Sequence, residues 1–169
     1  MSTTSQEALE HALRTAFIDL DKVAGEFGVD KGRLGGKLRS RSRSIPALMF
    51  DTGLLPTLTF LWAKAGKETY EKIYVLLEEV EVQSGKEGEV KSGEKKPSPE
   101  ELSYSLYLYG VLKFMEAKKL VRSAADPKAV ADELVGKGSL TLALSLRVLE
   151  PYLIELKKLC EAAYEEEKE

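Results

Sequence analysis

The stretch LRSRSRSIPALMFDTGLLPTLTFLWAKAGK, residues 38–67, joins a run of alternating arginines and serines directly to a long apolar segment. The arginines and serines occupy residues 39–44, and the apolar segment continues through a turn at residues 51–53 as far as Trp62. A cationic strip attached to a buried anchor holds positive charge rigidly at a surface, which is the property that phosphate binding requires. We therefore predict that the rest of the chain is a scaffold for this stretch.

Basic residues are concentrated in one part of the chain. The 169 residues carry a formal net charge of −3, but residues 31–50 contain six basic residues and no acidic one, which leaves −9 for the remainder. The six are Lys31, Arg33, Lys37, Arg39, Arg41 and Arg43. Such a segment also fits a solvated basic loop or a short serine-arginine phosphorylation site. The absence of acidic residues favours a binding surface, because a solvated face usually mixes both signs.

The odd-numbered spacing of these cations produces a cationic face in either of two backbone geometries. In an extended segment, successive side chains point to opposite sides, so all six cations share one side. In a helix, Arg33, Lys37 and Arg41 form one ridge at four-residue spacing, while Arg39 and Arg43 form another. The sequence leaves both geometries open, and the glycines at positions 32, 35 and 36 are also typical of a mobile loop.

The length and composition indicate one globular domain. A chain of this length can bury most of the surface that its unfolded form exposes, and 43% hydrophobic with 31% charged residues is typical of soluble proteins. We predict a single domain over residues 1–164 and an acidic frayed tail at 165–169. The lone cysteine, Cys160, leaves no intrachain disulfide and favours a cytoplasmic location. The apolar region 45–63 is interrupted by Pro46, Gly53 and Pro56, which argues against a membrane span.

Apolar residues recur at three- and four-residue spacing through most of the chain, which predicts helices. The first helix begins at a capping box in residues 4–7 and ends at Gly25 and Gly28, with the only histidine, His11, on a solvated face. Further helices are predicted at 51–66, 67–82, 98–122, 126–135 and 139–164, the last kinked by Pro151. Residues 84–97 are predicted to form a mobile loop. Without any strand signal, the fold class is all-α: a compact bundle of about five to six helices.

The helix predicted after residue 51 supplies two more candidate cations. Lys64 and Lys67 are expected near its C-terminal end, where the helix dipole favours positive charge. Trp62 in the same helix is interpreted as a core residue rather than as a platform for stacking nucleobases, because it lies inside an apolar helix.

The residue types that most catalytic sites need are scarce in this chain. One histidine and one cysteine supply neither a metal-ligand spacing nor a Cys/His pair for nucleophilic catalysis. The glycines at 32, 35 and 36 do not follow a predicted strand and do not precede a Lys-Ser/Thr pair, so they do not match a nucleotide-binding loop. We therefore predict a protein that is not an enzyme and that uses no metal and no cofactor.

The apolar part of the opening stretch resembles a known family. A basic segment followed by IPALM at 45–49, TGL at 52–54, Leu58 and FL at 60–61 is similar to the small helical subunit of type III CRISPR RNA-guided effector complexes, specifically of the Cmr branch. The order of parts is similar as well: an N-terminal amphipathic helix, this motif, a variable middle and a long last helix that ends in a cationic pair, here at residues 157–158.

The resemblance implies a non-catalytic subunit whose copies stack head to tail into a short filament. Its basic face would lie along single-stranded guide and target RNA, with the backbone subunits and the large Cas10-type subunit as neighbours. The cations that match the family are Arg39, Arg41 and Arg43, followed by Lys64 and Lys67. The chain departs from the family in its last helix, where IEL at 154–156 and an acidic tail replace a tryptophan-rich, more basic sequence.

The resulting hypothesis is binding of RNA phosphates without sequence specificity. Its candidate RNA-binding residues are Lys31, Arg33, Lys37, Arg39, Arg41, Arg43, Lys64 and Lys67. The alternative is a helical protein-interaction adaptor whose basic strip docks an acidic protein partner, and a third hypothesis is an enzyme that acts on RNA. The strip could also serve self-assembly, since the acidic remainder of one copy attracts the basic strip of the next.

Overall fold

The computed structural model describes residues 4–78 and 96–166, and all regular structure in these ranges is helical. The eight helices described are α1 (Thr4–Ala16), α2 (Leu20–Phe27), α3 (Lys31–Thr52), α4 (Leu54–Ala65), α5 (Lys67–Glu78), α6 (Pro99–Ala117), α7 (Pro127–Val135) and α8 (Gly138–Ala163). The all-α prediction is confirmed. The count exceeds the expected five to six because the first predicted helix is two helices and because the basic segment is itself helical.

The first predicted helix is interrupted after Ala16. Asp19 caps the second piece, since its Oδ1 accepts a hydrogen bond from the amide of Lys22 at 3.0 Å. Gly28 ends α2 in the left-handed conformation with φ of 67°, as predicted, whereas Gly25 lies inside the helix. A local cap therefore divides an apolar stripe that is continuous in the sequence.

The basic segment forms the first half of α3, the 22-residue helix that leads into the apolar motif. Asp30 starts the helix by accepting a hydrogen bond from the amide of Arg33 at 2.8 Å. Gly35 is buried in α3 against Tyr164, and a Cβ atom there would lie 2.5 Å from Cδ1 of that ring. Gly35 is therefore a helical residue, and its lack of a side chain allows the ring of Tyr164 to pack closely against α3. Along its length α3 packs against α6 and α8.

The central element is α6, which contacts α1, α3, α4, α5 and α8. Its start is the predicted capping box, in which Ser98 and Glu101 bond each other's backbone amides. It ends at Ala117 rather than near residue 122, and Lys119 just beyond it has a φ of 61°. Phe114 stacks on Tyr152 of α8 with ring centroids 4.7 Å apart. Burial on nearly all sides explains why this helix is apolar around most of its circumference.

His11 lies at the contact between α1 and α6, so the prediction of a solvated histidine is wrong. Its half-buried ring meets Phe114 edge-on with centroids 5.4 Å apart. Burial, and after it the positive charge of Arg14, hold the pKa of His11 below its usual 6.5. The neutral imidazole is a packing group in this position.

The helices predicted at 67–82, 126–135 and 139–164 agree with α5, α7 and α8 where the structure describes them, whereas the helix predicted from residue 51 begins at Leu54, because α3 continues through Thr52. Trp62 is half-buried and packs against the core, as expected, beside a small apolar pocket lined also by Leu58, Leu112 and Val130. Of the predicted mobile loop at 84–97, residues 84–95 lie outside the described part of the chain, as do residues 167–169 of the predicted tail. None of the described helices is both long and apolar enough to cross a bilayer.

Candidate nucleic-acid interface

The six cations at residues 31–43 all lie on α3, so the helical alternative is correct and the extended one is wrong. Four-residue spacing places Arg33, Lys37 and Arg41 along one side, which we call the outer ridge. Arg39 and Arg43 form a second row, which we call the inner ridge. The two rows have different surroundings, and a sequence without tertiary contacts cannot distinguish them.

The outer ridge begins at an exposed part of α3. Arg33 is exposed and Lys37 is half-buried, while the neighbouring Lys31 forms an exposed ion pair with Asp21 at 3.0 Å. An ion pair between two exposed side chains is weak, about 0–1 kcal/mol, and is screened by salt. Lys31 can therefore exchange this carboxylate for another anion at little cost.

The outer ridge ends in a cluster of cations and aromatic rings drawn from three helices. The guanidinium of Arg41 lies over the ring of Tyr104 of α6, 4.2 Å from its centroid, and donates a hydrogen bond to the tyrosine hydroxyl. Phe60 of α4 meets Tyr104 edge-on at 6.0 Å, and Nζ of Lys64 lies 5.7 Å from the Phe60 centroid. This cation–aromatic cluster connects the cations of α3 with a cation of α4.

Sequence reasoning missed the aromatic members of this cluster. Tyr104 is only 6% exposed, but Phe60 is 36% exposed and lies between two predicted RNA-binding cations. The four-residue spacing of Phe60 and Lys64 was a visible signal for that pair. The approach of Arg41 and Tyr104 was not visible, because the two residues are 63 positions apart.

The inner ridge faces the end of α8. Arg39 donates hydrogen bonds to the backbone carbonyl oxygens of Glu161 at 3.3 Å and of Tyr164 at 2.9 Å. The last carbonyls of a helix lack partners within the helix, so Arg39 acts as a cap for α8. Arg43 forms ion pairs with the carboxylates of Glu161 at 3.7 Å and Glu166 at 3.3 Å. Part of the positive charge that is concentrated in residues 31–50 is therefore neutralised in the folded protein by carboxylates from the end of the chain.

The two lysines outside α3 occupy different helix ends. Lys64 lies in the last turn of α4, as predicted. Lys67 is the first residue of α5, where the helix dipole disfavours a cation, so its expected place at a C-terminal helix end is wrong. Both side chains are exposed.

The single cysteine of the chain, Cys160, lies in the core. Cys160 is buried, and burial raises the pKa of its thiol to about 11, although a hydrogen bond with Ser42 acts in the opposite direction. A thiol with this pKa remains protonated at neutral pH. Within residues 4–78 and 96–166, no group of three or more His, Cys, Asp or Glu side chains is placed to hold a metal ion.

A family model matches the part of the chain that contains this surface. The family model described as CRISPR-associated protein (Cas_Cmr5) matches residues 7–124, a range that includes all eight candidate cations. The chain belongs to the Cmr5 family. The expected relationship to the small helical subunit of Cmr-type, type III-B CRISPR effector complexes is thereby confirmed.

The fold of this Cmr5 family member extends beyond the range of the family model. One chain of the cryo-EM structure of the type III-B Cmr-beta complex bound to cognate target RNA and AMPPnP shares the fold, with a TM-score of 0.62 at 19% identity over 97% of each chain. The family model ends at residue 124, before α7 and α8, whereas the structural match includes them. Comparison with curated protein sequences found no significant match.

Proposed function

We propose that this Cmr5 family member is a non-catalytic subunit of a type III-B effector complex that binds the phosphates of guide and target RNA without sequence specificity. The observation that carries this proposal is the outer ridge of α3, which continues through the cation–aromatic cluster to Lys64 of α4. Lysine and arginine side chains along this helix can contact phosphate oxygens, and contacts with phosphates carry no sequence information. The surface therefore fits the shape and charge of a strand rather than its sequence.

The proposed partners follow from this role in a complex. They are single-stranded guide and target RNA, the backbone subunits, the large Cas10-type subunit and further copies of this chain stacked into a short filament. The structure that shares the fold is described as bound to cognate target RNA, which supports RNA as the ligand of the basic face. We place the assembled complex in the cytoplasm and regard residues 1–164 as a single domain.

The second candidate function is a protein-interaction adaptor with an acidic partner. Within the molecule, Arg43 of the basic helix already pairs with two carboxylates, Glu161 and Glu166. The inner ridge is thus able to receive protein carboxylates. An acidic surface of another subunit, or of a second copy, could use the same chemistry.

The salt dependence of RNA binding tests the proposal. We expect the logarithm of the association constant for a labelled oligouridine to fall linearly with the logarithm of salt concentration, with a slope of about −2 to −3 for three or four phosphates on a single strand. Fluorescence anisotropy over a salt series measures this slope, and oligoadenosine should behave similarly. Incubation with divalent metal ions should leave both strands intact.

Two outcomes would contradict the RNA proposal. Strong discrimination between oligouridine and oligoadenosine excludes binding without sequence specificity, and metal-dependent cleavage excludes a non-catalytic role. A lack of salt-sensitive RNA binding, combined with a complex that survives nuclease treatment of the extract, supports the adaptor instead.

Phe60 is expected to contribute a part of the affinity that salt does not change. A nucleobase stacked on an exposed ring contributes about 1–3 kcal/mol by alanine substitution, and the neighbouring Arg41 and Lys64 can hold the adjoining phosphates. The variant Phe60→Ala should therefore bind oligouridine at least about fivefold more weakly with an unchanged salt slope. Phe50→Ala, at an exposed phenylalanine near the end of α3, is the matched control. An equal loss in both variants, or an equal loss for abasic oligonucleotides, would rule out stacking on Phe60.

A further inference from the structure

The chain turns back onto the basic helix where α8 ends. Tyr164, the residue after α8, has an extended backbone with φ of −125° and ψ of 145°. Its ring lies on Gly35 of α3, and its hydroxyl donates a hydrogen bond to the carbonyl of Ala16 at the end of α1. These contacts place residues 161–166, which we call the acidic segment, along the inner ridge.

The acidic segment is held by two arginines in two different ways. Arg39 binds only backbone carbonyls of the segment, and these bonds are partly buried. Arg43 binds its carboxylates, and its side chain is 50% exposed; the side chain of Glu166 is 71% exposed, whereas that of Glu161 is 34% exposed. Arg39 and Tyr164 therefore anchor the segment, while Arg43 is paired with anions that solvent and solutes can replace.

We infer that the carboxylates of Glu161 and Glu166 occupy Arg43 in place of an RNA phosphate, so that the chain's own acidic segment competes with RNA for the inner ridge. This inference rests on the proposed RNA-binding function and adds a regulation of the same surface. In the closed arrangement the guanidinium of Arg43 is paired with these carboxylates and is not available to a strand. When a strand displaces the two carboxylates, Arg43 adds one further phosphate contact.

An RNA phosphate can replace the two carboxylates on Arg43 because little free energy is needed to break these ion pairs. Each exposed ion pair changes an equilibrium constant by no more than roughly fivefold. The two pairs on Arg43 therefore slow or weaken RNA binding without preventing it. The anchors at Arg39 and Tyr164 keep the carboxylates at a high local concentration, because the segment remains attached whether or not Arg43 is released.

The test compares two variants that remove equal charge from the full chain. Glu161→Gln with Glu166→Gln removes both carboxylates from Arg43 but keeps the anchors. Glu68→Gln with Glu71→Gln removes two exposed carboxylates from α5 and is the matched control. For labelled oligouridine, the first variant should bind about two- to tenfold more tightly at low salt than the unchanged chain, with a salt slope steeper by about 0.7. The control should change affinity less and leave the slope unchanged.

A third variant locates the effect on Arg43. Adding Arg43→Gln to the Glu161→Gln and Glu166→Gln variant should abolish the gain in affinity, as in a double-mutant cycle between residues in contact. Retention of the gain, an equal gain in the α5 control, or an unchanged affinity of the first variant would each overturn the competition. If the unchanged chain and every variant lack salt-sensitive RNA binding, the proposed function itself fails and the competition fails with it.

Discussion

A chain that carries Arg33→Glu, Lys37→Glu and Lys64→Glu is expected to bind single-stranded RNA about a hundredfold more weakly than the unchanged chain, or not measurably. Each substitution removes a phosphate contact on the outer ridge or at the cation–aromatic cluster and introduces a charge that repels the strand. Because about 0.7 of the salt slope is lost for each phosphate released, the slope should fall by about 2. Anisotropy titrations over a salt series measure both quantities.

The choice of these three positions follows from the tertiary contacts. The sequence alone favours Arg39, Arg41 and Arg43 for charge reversal, because these three cations directly precede the family motif. Arg39, however, caps α8 and Arg41 packs on Tyr104, and the Nε atoms of both are buried. Their replacement by glutamate would place a carboxylate in partly buried surroundings that now receive a cation, and would destabilise the fold as well as weaken RNA binding.

A charge-matched control separates local contacts from net charge. Lys128→Glu, Arg147→Glu and Lys157→Glu produce the same change in net charge at exposed sites on α7 and α8. This control should retain most of the affinity and helical circular dichroism should be unchanged in both variants. Equal losses in the two variants would show that the outer ridge is not the binding surface.

The variant Gly110→Ala is expected to lose about 1–3 kcal/mol of the free energy of unfolding. Gly110 is a buried residue of α6, and a Cβ atom there would lie 2.5 Å from Cγ2 of Thr15 and 2.6 Å from the hydroxyl oxygen of Tyr152. These two neighbours also share a hydrogen bond of 2.8 Å between their hydroxyl groups. A methyl group at this point must push α1 or the Tyr152 ring away from α6.

The corresponding control is Gly25→Ala in α2. A Cβ atom at Gly25 meets no atom within 4 Å, so only the helix propensity changes. Alanine at an open helix position is favoured over glycine by up to about 1 kcal/mol. Urea unfolding followed by circular dichroism should therefore move the two midpoints in opposite directions. Stabilisation by both substitutions would show that α1, α6 and α8 do not approach as closely as described.

Most of the fold is predictable because it depends on local patterns. Three such patterns act within one or two helical turns, and each is present in the structure: the Ser98 and Glu101 capping box, the left-handed Gly28 and the apolar periodicity of α8. The all-round apolar character of α6 likewise predicts a central or covered helix. The family relationship was also accessible, because the motif at 45–61 is contiguous in the chain.

The errors arise where distant residues meet. The charged sequence neighbours of His11 predict a solvated side chain, but its half-buried ring packs edge-on against Phe114 of α6. The glycines of the basic segment predict a mobile loop, yet Gly35 lies within α3, where the ring of Tyr164 fills the space that a side chain would occupy. In both cases a partner more than a hundred positions away changes the environment that local sequence suggests.

The sequence by itself determined the fold class, the family and the eight candidate cations between residues 31 and 67. Those properties depend on residue type and short-range spacing, which the order of residues specifies directly. Only the tertiary structure divided the cations by role. Arg41 meets Tyr104 across 63 positions and Arg39 meets Tyr164 across 125, and such long-range approaches depend on how the helices pack rather than on any periodicity. Packing thus made Arg39 a helix cap, paired Arg43 with two carboxylates and set Arg41 against Tyr104.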